Sequence, residues 1–346
     1  NSSLHVSEKT SFSSLEGHIM LIVNEQQIMR TYNMNEAIKD VEEVLKAKVA
    51  EKISNPHRTV IEFPQHEASA LYMPSADLVE EVTAVKVVTI YPNNPTNGKP
   101  TTQGVVLLSD AKNGEHVAML NASYLTRLRT GALSAIATNY LARKNAKVLT
   151  VIGTGAMAFE QTLGVLAVRD IDRIILFNRT AKKAQQFGEQ LKDFGIEVPF
   201  EIAEDVSVAV RQAHIICCAT RSVEPVFNGN DLQPGTHING VGSYLPHMLE
   251  LDVTTIKRAS KVVVDDLAGV KDEAGELIHA ESIGEWSFND VHGEIGQLVA
   301  RQVKGREEED EITIFKSVGA AYFDLAVAKG AYIKAKEKSI GTHIEV

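Results

Sequence analysis

The sequence predicts an α/β protein: a doubly wound, mostly parallel sheet, preceded by a helix and a mostly antiparallel sheet. Three observations carry that expectation. Residues 147–180, KVLTVIGTGAMAFEQTLGVLAVRDIDRIILFNRT, read as strand, glycine turn, helix and strand. After them, short apolar runs alternate with helical patterns as far as residue 266. Before them, short runs rich in β-branched residues are separated by turn formers.

In chain order, residues 1–18 are polar and Ser-rich without an apolar h-region, so no signal peptide is expected. Met20 opens a stretch, MLIVNEQQI, that looks like a natural start, so residues 1–19 read as a disordered or expression-derived segment. Over residues 35–52, Ala37, Ile38, Val41, Val44, Leu45 and Val49 follow helical spacing, with Asn33 or Asn35 as the cap. Residues 58–63, 70–73, 84–90 and 104–109 read as strands, separated by Pro74-Ser75 and by the Pro92–Pro95 turn formers. Residues 110–114 form a hairpin turn before 115–120. A helix rich in small residues then opens at Leu125 and runs to Leu141, with Arg129 and Thr130 near its N-terminus.

Residues 148–152 are an almost unbroken apolar run, as expected of a parallel strand buried on both faces. Gly153, Gly155 and Ala158 follow with the spacing G-x-G-x-x-A. The first glycine permits the tight turn, the second lets a pyrophosphate approach the backbone, and the small third residue lets the helix pack on the strand. The helix over residues 157–168 then offers free N–H groups and a positive dipole end to phosphates. A strand over 173–177 ends at Asn178-Arg179-Thr180, where NAD sites usually carry an acid for the ribose 2′-hydroxyl. Here Arg179 is available to pair with a 2′-phosphate, with Asn178 and Thr180 beside it, so NADP(H) is the expected cofactor and NAD(H) the second choice.

The alternation continues: helix 181–194, strand 198–202, helix 205–212, strands 214–219 and 236–241, a short helix over 251–256 and strand 261–266. Ligands of such sheets lie beyond the carboxyl ends of the strands, which nominates Thr220, Gly242, Ser243 and Tyr244. Residues 301–311 are a charge-dense loop, read as solvated surface. Residues 312–316 and Ser317-Val318-Gly319 lead to a last helix over 320–336.

Composition excludes several function classes. A net charge of −10 argues against a nucleic-acid partner. No apolar run approaches the roughly 20 residues of a membrane-spanning helix. Cys217 and Cys218, adjacent in an apolar strand, suit a reducing compartment and a cytoplasmic protein. The histidines show no metal-ligand spacing, so no metal is expected. Two cations stand out before the doubly wound region: Lys86 inside the apolar strand AVKVV, which pattern alone would place on a solvent face, and Arg58 after Pro56. Arg129 is a third, an anion ligand if it sits at a helix N-terminus, where an unpaired cation opposes the dipole.

The stretches NPHRTVIEFP, AVKVVTIYPNNP, LTRLRTGALSAIATNYLAR, VIGTGAMA, FNRTAKKAQQF, INGVGSYLPHMLELD and FKSVGAAYFDLAVA resemble the ornithine cyclodeaminase/μ-crystallin family, in the family's order and over nearly the whole chain from Met20. The resemblance implies a homodimer with a Rossmann domain (residues 141–316) inserted into a split substrate-binding and dimerisation domain (residues 20–140 and 317–346). It further implies that Arg58, Lys86 and Arg129 hold a substrate carboxylate, with Lys86 also placed for proton transfer. Tyr244 and Gly319 complete the expected substrate set. The expected cofactor set is Gly153, Thr154, Gly155, Ala156, Met157, Asn178, Arg179, Thr180, Thr220, Thr130, Gly242 and Ser243.

In the family's cyclodeaminases an Asp stands in the stretch that here reads Val241-Gly242-Ser243-Tyr244. A phenol with an ordinary pKa near 10 replaces it poorly as a base. The chain therefore looks more like the family's ketimine reductases: an NAD(P)H-dependent oxidoreductase acting on the C=N bond of cyclic 2-imino acids. The alternatives are an alanine-type amino-acid dehydrogenase, an ornithine cyclodeaminase, and a non-catalytic NADP-binding protein like μ-crystallin. The expected partner is a small imino or amino acid, without nucleic acid or membrane.

Overall fold

The computed structural model describes residues 19–346. The proposed disordered or expression-derived segment lies outside the described residues except for Ile19, which already belongs to a strand. That strand, β1 (Ile19–Val23), stops at Asn24, whose side chain accepts from Gln27 N while the Gln27 side chain accepts from Asn24 N. This reciprocal cap starts α1 (Glu25–Thr31), a helix not expected from the sequence. Asn33 and Glu36 repeat the device for α2 (Met34–Val49), so Asn33 and not Asn35 is the cap.

Strands β2 (Ile53–Ser54), β3 (Thr59–Phe63), β4 (Ala68–Asp77), β5 (Val82–Ile90), β6 (Thr102–Asp110) and β7 (His116–Asn121) follow. Pro74-Ser75 is not a strand boundary: β4 runs straight through it. Pro74 pairs opposite Val85 and falls in the gap between the short strands β3 and β2 on the other side, where a missing N–H costs no ladder bond. Helix α3 (Ala122–Leu141) starts earlier than the sequence reading placed it, because Asn121 caps it by accepting from Tyr124 N. Arg129 and Thr130 are therefore interior residues, and Arg129 does not oppose a helix N-terminal dipole.

The second half runs β8 (Val148–Ile152), α4 (Ala156–Val168), β9 (Arg173–Phe177), α5 (Ala181–Asp193), β10 (Phe200–Ile202), α6 (Val206–Gln212), β11 (Ile215–Cys218), β12 (His237–Gly240), α7 (Val253–Arg258) and β13 (Lys261–Val264). Leu251, expected inside the seventh helix, precedes its cap Asp252. Then come α8 (Leu267–Glu273), α9 (Gly275–Ser282), β14 (Gly293–Glu294), α10 (Ile295–Val299), β15 (Thr313–Lys316), α11 (Ala321–Glu337) and β16 (Thr342–Glu345). Gly293-Glu294 forms the two-residue strand β14 beside β13. The charged loop before β15 is not all solvated surface: Arg306 reaches back to the carbonyls of Leu141, Gly235 and Glu311.

The strands form two sheets. The first has the order β16-β1-β7-β6-β5-β4-β2, with β3 also on β4. It is antiparallel among the described residues except where β1 pairs with β7. Helices α2, α3 and α11 cover one face, where Val106, Leu108, Leu120, Leu128, Phe323 and Val327 are buried together. Each such side chain contributes about 1.5–3 kcal/mol. The second sheet, order β10-β9-β8-β11-β12-β15-β13-β14, is parallel throughout. Its strands β8, β11, β12 and β13 are wholly buried, which accounts for the mainly apolar runs of β8, β11 and β13; β12 instead buries His237 and Asn239, hydrogen-bonded to each other.

Two features join the sheets. Helices α3 and α4 cross at Gly131 and Gly164, where a methyl added to either would meet the other helix's backbone. Strand β15 lies in the middle of the second sheet, yet the chain leaves it directly into α11 on the first. The turn Ser317-Val318-Gly319 therefore sits where the two sheets meet.

Candidate active site

Lys86 is the central residue of β5 and points to the helix-covered face, not to solvent; it is 4% exposed. Its ammonium donates to Asp324 Oδ2 at 2.7 Å. Asp324 comes from the first turn of α11 and is 1% exposed. Its other oxygen accepts from Arg129 Nε at 3.4 Å and from Thr126 Oγ1 at 3.3 Å, residues one turn apart on α3. The carboxylate thus ties together a strand and two helices. The terminal nitrogens of Arg129, Nη1 and Nη2, have no hydrogen-bond partner among the described residues.

Gly319 lies against that guanidinium. Its φ of +88° suits glycine, and a Cβ there would stand 2.7 Å from Arg129 Nη2 and 2.9 Å from Nη1. Asp265, beyond β13, fixes the turn by accepting from Ser317 Oγ, Val318 N and Gly319 N. Arg58 approaches from the other side, donating to Glu273 Oε2 at 2.8 Å and to the Gly319 carbonyl at 3.4 Å. The three expected cations are therefore gathered around Gly319 and Asp324.

Burial governs the electrostatics. It lowers the Lys86 ammonium from its ordinary range to about 8, against the pull of Asp324 and with the push of Arg129 and Arg58. Burial alone would raise the Asp324 carboxyl, but Lys86 and Arg129 hold it below the ordinary value. Glu273 is raised to about 7 by burial, opposed by Arg58. Breaking a buried pair of the Lys86–Asp324 kind typically costs about 3–5 kcal/mol, because one charge is left without a partner.

The other expected residues lie along the carboxyl edge of the parallel sheet. Gly153 follows β8 with φ +85°, and a Cβ there would stand 2.6 Å from Thr220 Cγ2. Gly155 caps α4 with open space where its Cβ would be, so a ligand can approach the backbone. Ala156 and Met157 supply the first helical residues, and Thr154 Oγ1 is buried without a hydrogen-bond partner among the described residues. Open backbone, a helix N-terminus and an orphaned hydroxyl fit the pyrophosphate of a dinucleotide. Asn178 accepts from Thr154 N and donates to the Thr180 carbonyl, bracing the turn. Arg179 and Thr180 are exposed beside it, and the exposed Lys182 and Lys183 open α5.

Not every expected residue offers a free polar group. Thr130 is buried inside α3 and its hydroxyl donates to the Thr126 carbonyl. Thr220, Gly242 and Ser243 follow β11 and β12 as expected, but their N–H groups, and the Thr220 hydroxyl, all donate to the buried carboxylate of Glu250. Ser243 Oγ donates to Glu276, and Lys316 donates to Ser243. These groups shape the loops, and Tyr244 stands half-buried at the end of them. Sequence reading missed Asp324, Asp265, Glu250, Glu273, Glu276 and Lys316. The signal available for Asp324 was a lone acid in the apolar run AAYFDLAVA; for Lys316 it was the cation ending TIFK.

The chain is similar to known proteins over almost its whole length. A model of the ornithine cyclodeaminase/mu-crystallin family matches residues 18–339. A Delta(1)-pyrroline-2-carboxylate reductase of Bacillus cereus is 43% identical over 327 residues, covering 94% of this chain and 100% of the relative. The structure of Thermococcus litoralis Delta(1)-pyrroline-2-carboxylate reductase in complex with NADH and L-proline superposes with a TM-score of 0.90 at 37% identity, covering 94% of this chain and 100% of that one. An archaeal alanine dehydrogenase dimer with bound NAD gives 0.88 at 35% identity, covering 94% and 99%.

Proposed function

The chain belongs to the ornithine cyclodeaminase/mu-crystallin family, and on that premise we propose that it is an NAD(P)H-dependent reductase of cyclic 2-imino acids. The substrates are Delta(1)-pyrroline-2-carboxylate or Delta(1)-piperideine-2-carboxylate, and the products L-proline or L-pipecolate. The observation that carries the reading is the Arg129 fork: Nε is spent on Asp324, which also holds Lys86, while Nη1 and Nη2 lie against Gly319 with no hydrogen-bond partner among the described residues. A planar fork with two parallel donors matches a carboxylate. The Bacillus cereus relative carries the name of this activity, and the Thermococcus litoralis neighbour holds NADH and L-proline.

The residues divide the work. Arg129 takes the carboxylate, with Arg58 and Lys86 flanking it, and so holds the ring in one orientation. When bound, the reduced nicotinamide supplies a hydride to the imine carbon. The Lys86 ammonium gives its proton to the imine nitrogen, and the C=N bond becomes a secondary amine. Gly153, Thr154, Gly155, Ala156 and Met157 hold the pyrophosphate. The Glu250 carboxylate keeps the Thr220 and Gly242-Ser243 loops packed against that strip.

The Lys86 ammonium titrates near 8. Below that value the cation and its proton are present; above it both are lost. Consequently kcat/KM for the imine is expected to fall as pH rises through about 8. A profile flat to pH 10 or so, beyond the reach of the lowered ammonium, would contradict it.

The preferred cofactor is NADP(H), with NAD(H) as the second choice. Arg179 is exposed, no acid ends β9, and Lys182 and Lys183 at the start of α5 favour an added anion. Arg179→Ala is expected to raise KM for NADPH about tenfold or more, the worth of one charge-assisted bond, and to leave KM for NADH nearly unchanged. Equal changes with both cofactors would argue against the assignment.

The protein is a homodimer in this reading. The bare face of the first sheet presents Ile61, Tyr72 and Val105 to solvent, and the archaeal neighbour is a dimer. Among the described residues no helix is long and apolar enough to cross a membrane. The free, buried Cys217 and Cys218 suit a cytoplasmic location.

Alanine dehydrogenase is the second reading, favoured by the archaeal neighbour. Ornithine cyclodeaminase remains weakened by Tyr244, and a non-catalytic role by the assembled cations. Chiral analysis after incubation with NADPH and Delta(1)-pyrroline-2-carboxylate decides the proposal: L-proline is expected, and its absence rejects it.

A further inference from the structure

We propose that Asp324 is a positioning residue that holds Lys86 as an ammonium and aims the Arg129 fork, and so sets the alkaline limit of imine reduction. The inference rests on the proposed reductase reading and deepens it. Asp324 bonds to Lys86, Arg129 and Thr126, and it acts through the two cations it binds.

The geometry supplies the reason. Lys86 from β5 and Arg129 from α3 are buried, and the half-buried Arg58 from the segment before β3 reaches the same Gly319 turn. Three cations so close would disfavour one another, and the most readily neutralised is the amine. Arg58 is paired with Glu273. Asp324 is the carboxylate paired with the other two, one oxygen to each. Thr126 adds a neutral donor to the Arg129-facing oxygen, so the carboxylate has its orientation fixed from both sides. Without its charge, Lys86 keeps the burial and the repulsion from Arg129 and Arg58 and loses its counter-ion. Its proton then leaves at lower pH, and with it both the third carboxylate contact and the proton for the imine nitrogen.

The test compares Asp324→Asn and Asp324→Glu by two readouts. The first is the pH profile of kcat/KM for Delta(1)-pyrroline-2-carboxylate. The second is NMR of isotope-labelled lysine ε-methylenes, assigned with Lys86→Arg, which follows the Lys86 titration without any substrate. In Asp324→Asn, the alkaline limb and the Lys86 titration are expected to move together to lower pH by more than about one unit. In Asp324→Glu both stay near their wild-type positions, with kcat reduced because the longer side chain displaces its partners. An unmoved Lys86 titration in a folded Asp324→Asn protein overturns the proposal. If Asp324→Asn does not fold, Asp324→Glu decides: a limb that shifts although the charge is kept overturns it. A wild-type protein inactive with imines would reject the reductase reading alone, because the NMR titration still tests the hold of Asp324 on Lys86.

Discussion

Lys86→Met is expected to lower kcat for imine reduction by about a hundred- to ten-thousand-fold, the usual worth of a positioned acid. Binding of NADPH, followed by its fluorescence, should change no more than about twofold. The separation is expected because Lys86 belongs to the first sheet, whereas the dinucleotide strip runs along the carboxyl edge of the second. Met keeps most of the side-chain volume, so the packing of β5 against α3 and α11 is largely preserved. Removing the cation leaves Asp324 with Arg129 and Thr126, which keeps the carboxylate partnered and the chain foldable. A variant with undiminished turnover would remove Lys86 from the chemistry. One that lost cofactor binding as well would show that the substitution acts on the fold.

Arg129→Lys is expected to raise KM for the imine about a hundredfold, with a smaller loss in kcat. The substitution keeps the charge and removes the fork. A lysine ammonium can still pair with Asp324, but it cannot do so through one nitrogen while offering two parallel donors to a substrate. The space beside Gly319, where any Cβ would stand 2.7 Å from Arg129 Nη2, is shaped for a flat guanidinium and not for a rotating amine. Fluorescence titration with NADPH again serves as the control. A KM within about threefold of wild type would mean that charge alone holds the carboxylate and that the planar fork is not needed.

Much of the fold was legible because each signal was local. The strand, glycine turn and helix of residues 148–168 read directly from an apolar run and the G-x-G-x-x-A spacing. The parallel sheet read as continuous apolar runs because both of its faces are covered. Two kinds of error remained. Pro74 looked like a break, because nothing in the sequence shows that β2 and β3 leave a gap opposite it. Helix α3 was started late, since its cap Asn121 is itself the last residue of β7, with no intervening loop.

The candidate site was legible as cations and largely illegible as carboxylates. Lys86, Arg58 and Arg129 stood out against apolar neighbours, and the family resemblance joined them. Asp324 lies 238 residues from Lys86, and Glu273 lies 215 from Arg58. The first pairing depends on β15 turning out of one sheet into α11 on the other, and the second on the end of α8 reaching the segment before β3, neither of which any local pattern records. Glu250 is a nearer case: its four bonded donors come from the loops after β11 and β12, 7 to 30 residues away, and meet it only because those two strands pair side by side.

The central claim is that a cyclic imine is reduced by hydride from a nicotinamide cofactor. Loss of NADPH absorbance with Delta(1)-pyrroline-2-carboxylate, run beside pyruvate plus ammonia and beside L-ornithine, tests it most directly. The account predicts rapid oxidation with the imine, little with pyruvate and ammonia, and no proline from ornithine. Oxidation that requires pyruvate and ammonia, or proline formed from ornithine without net cofactor turnover, would contradict it.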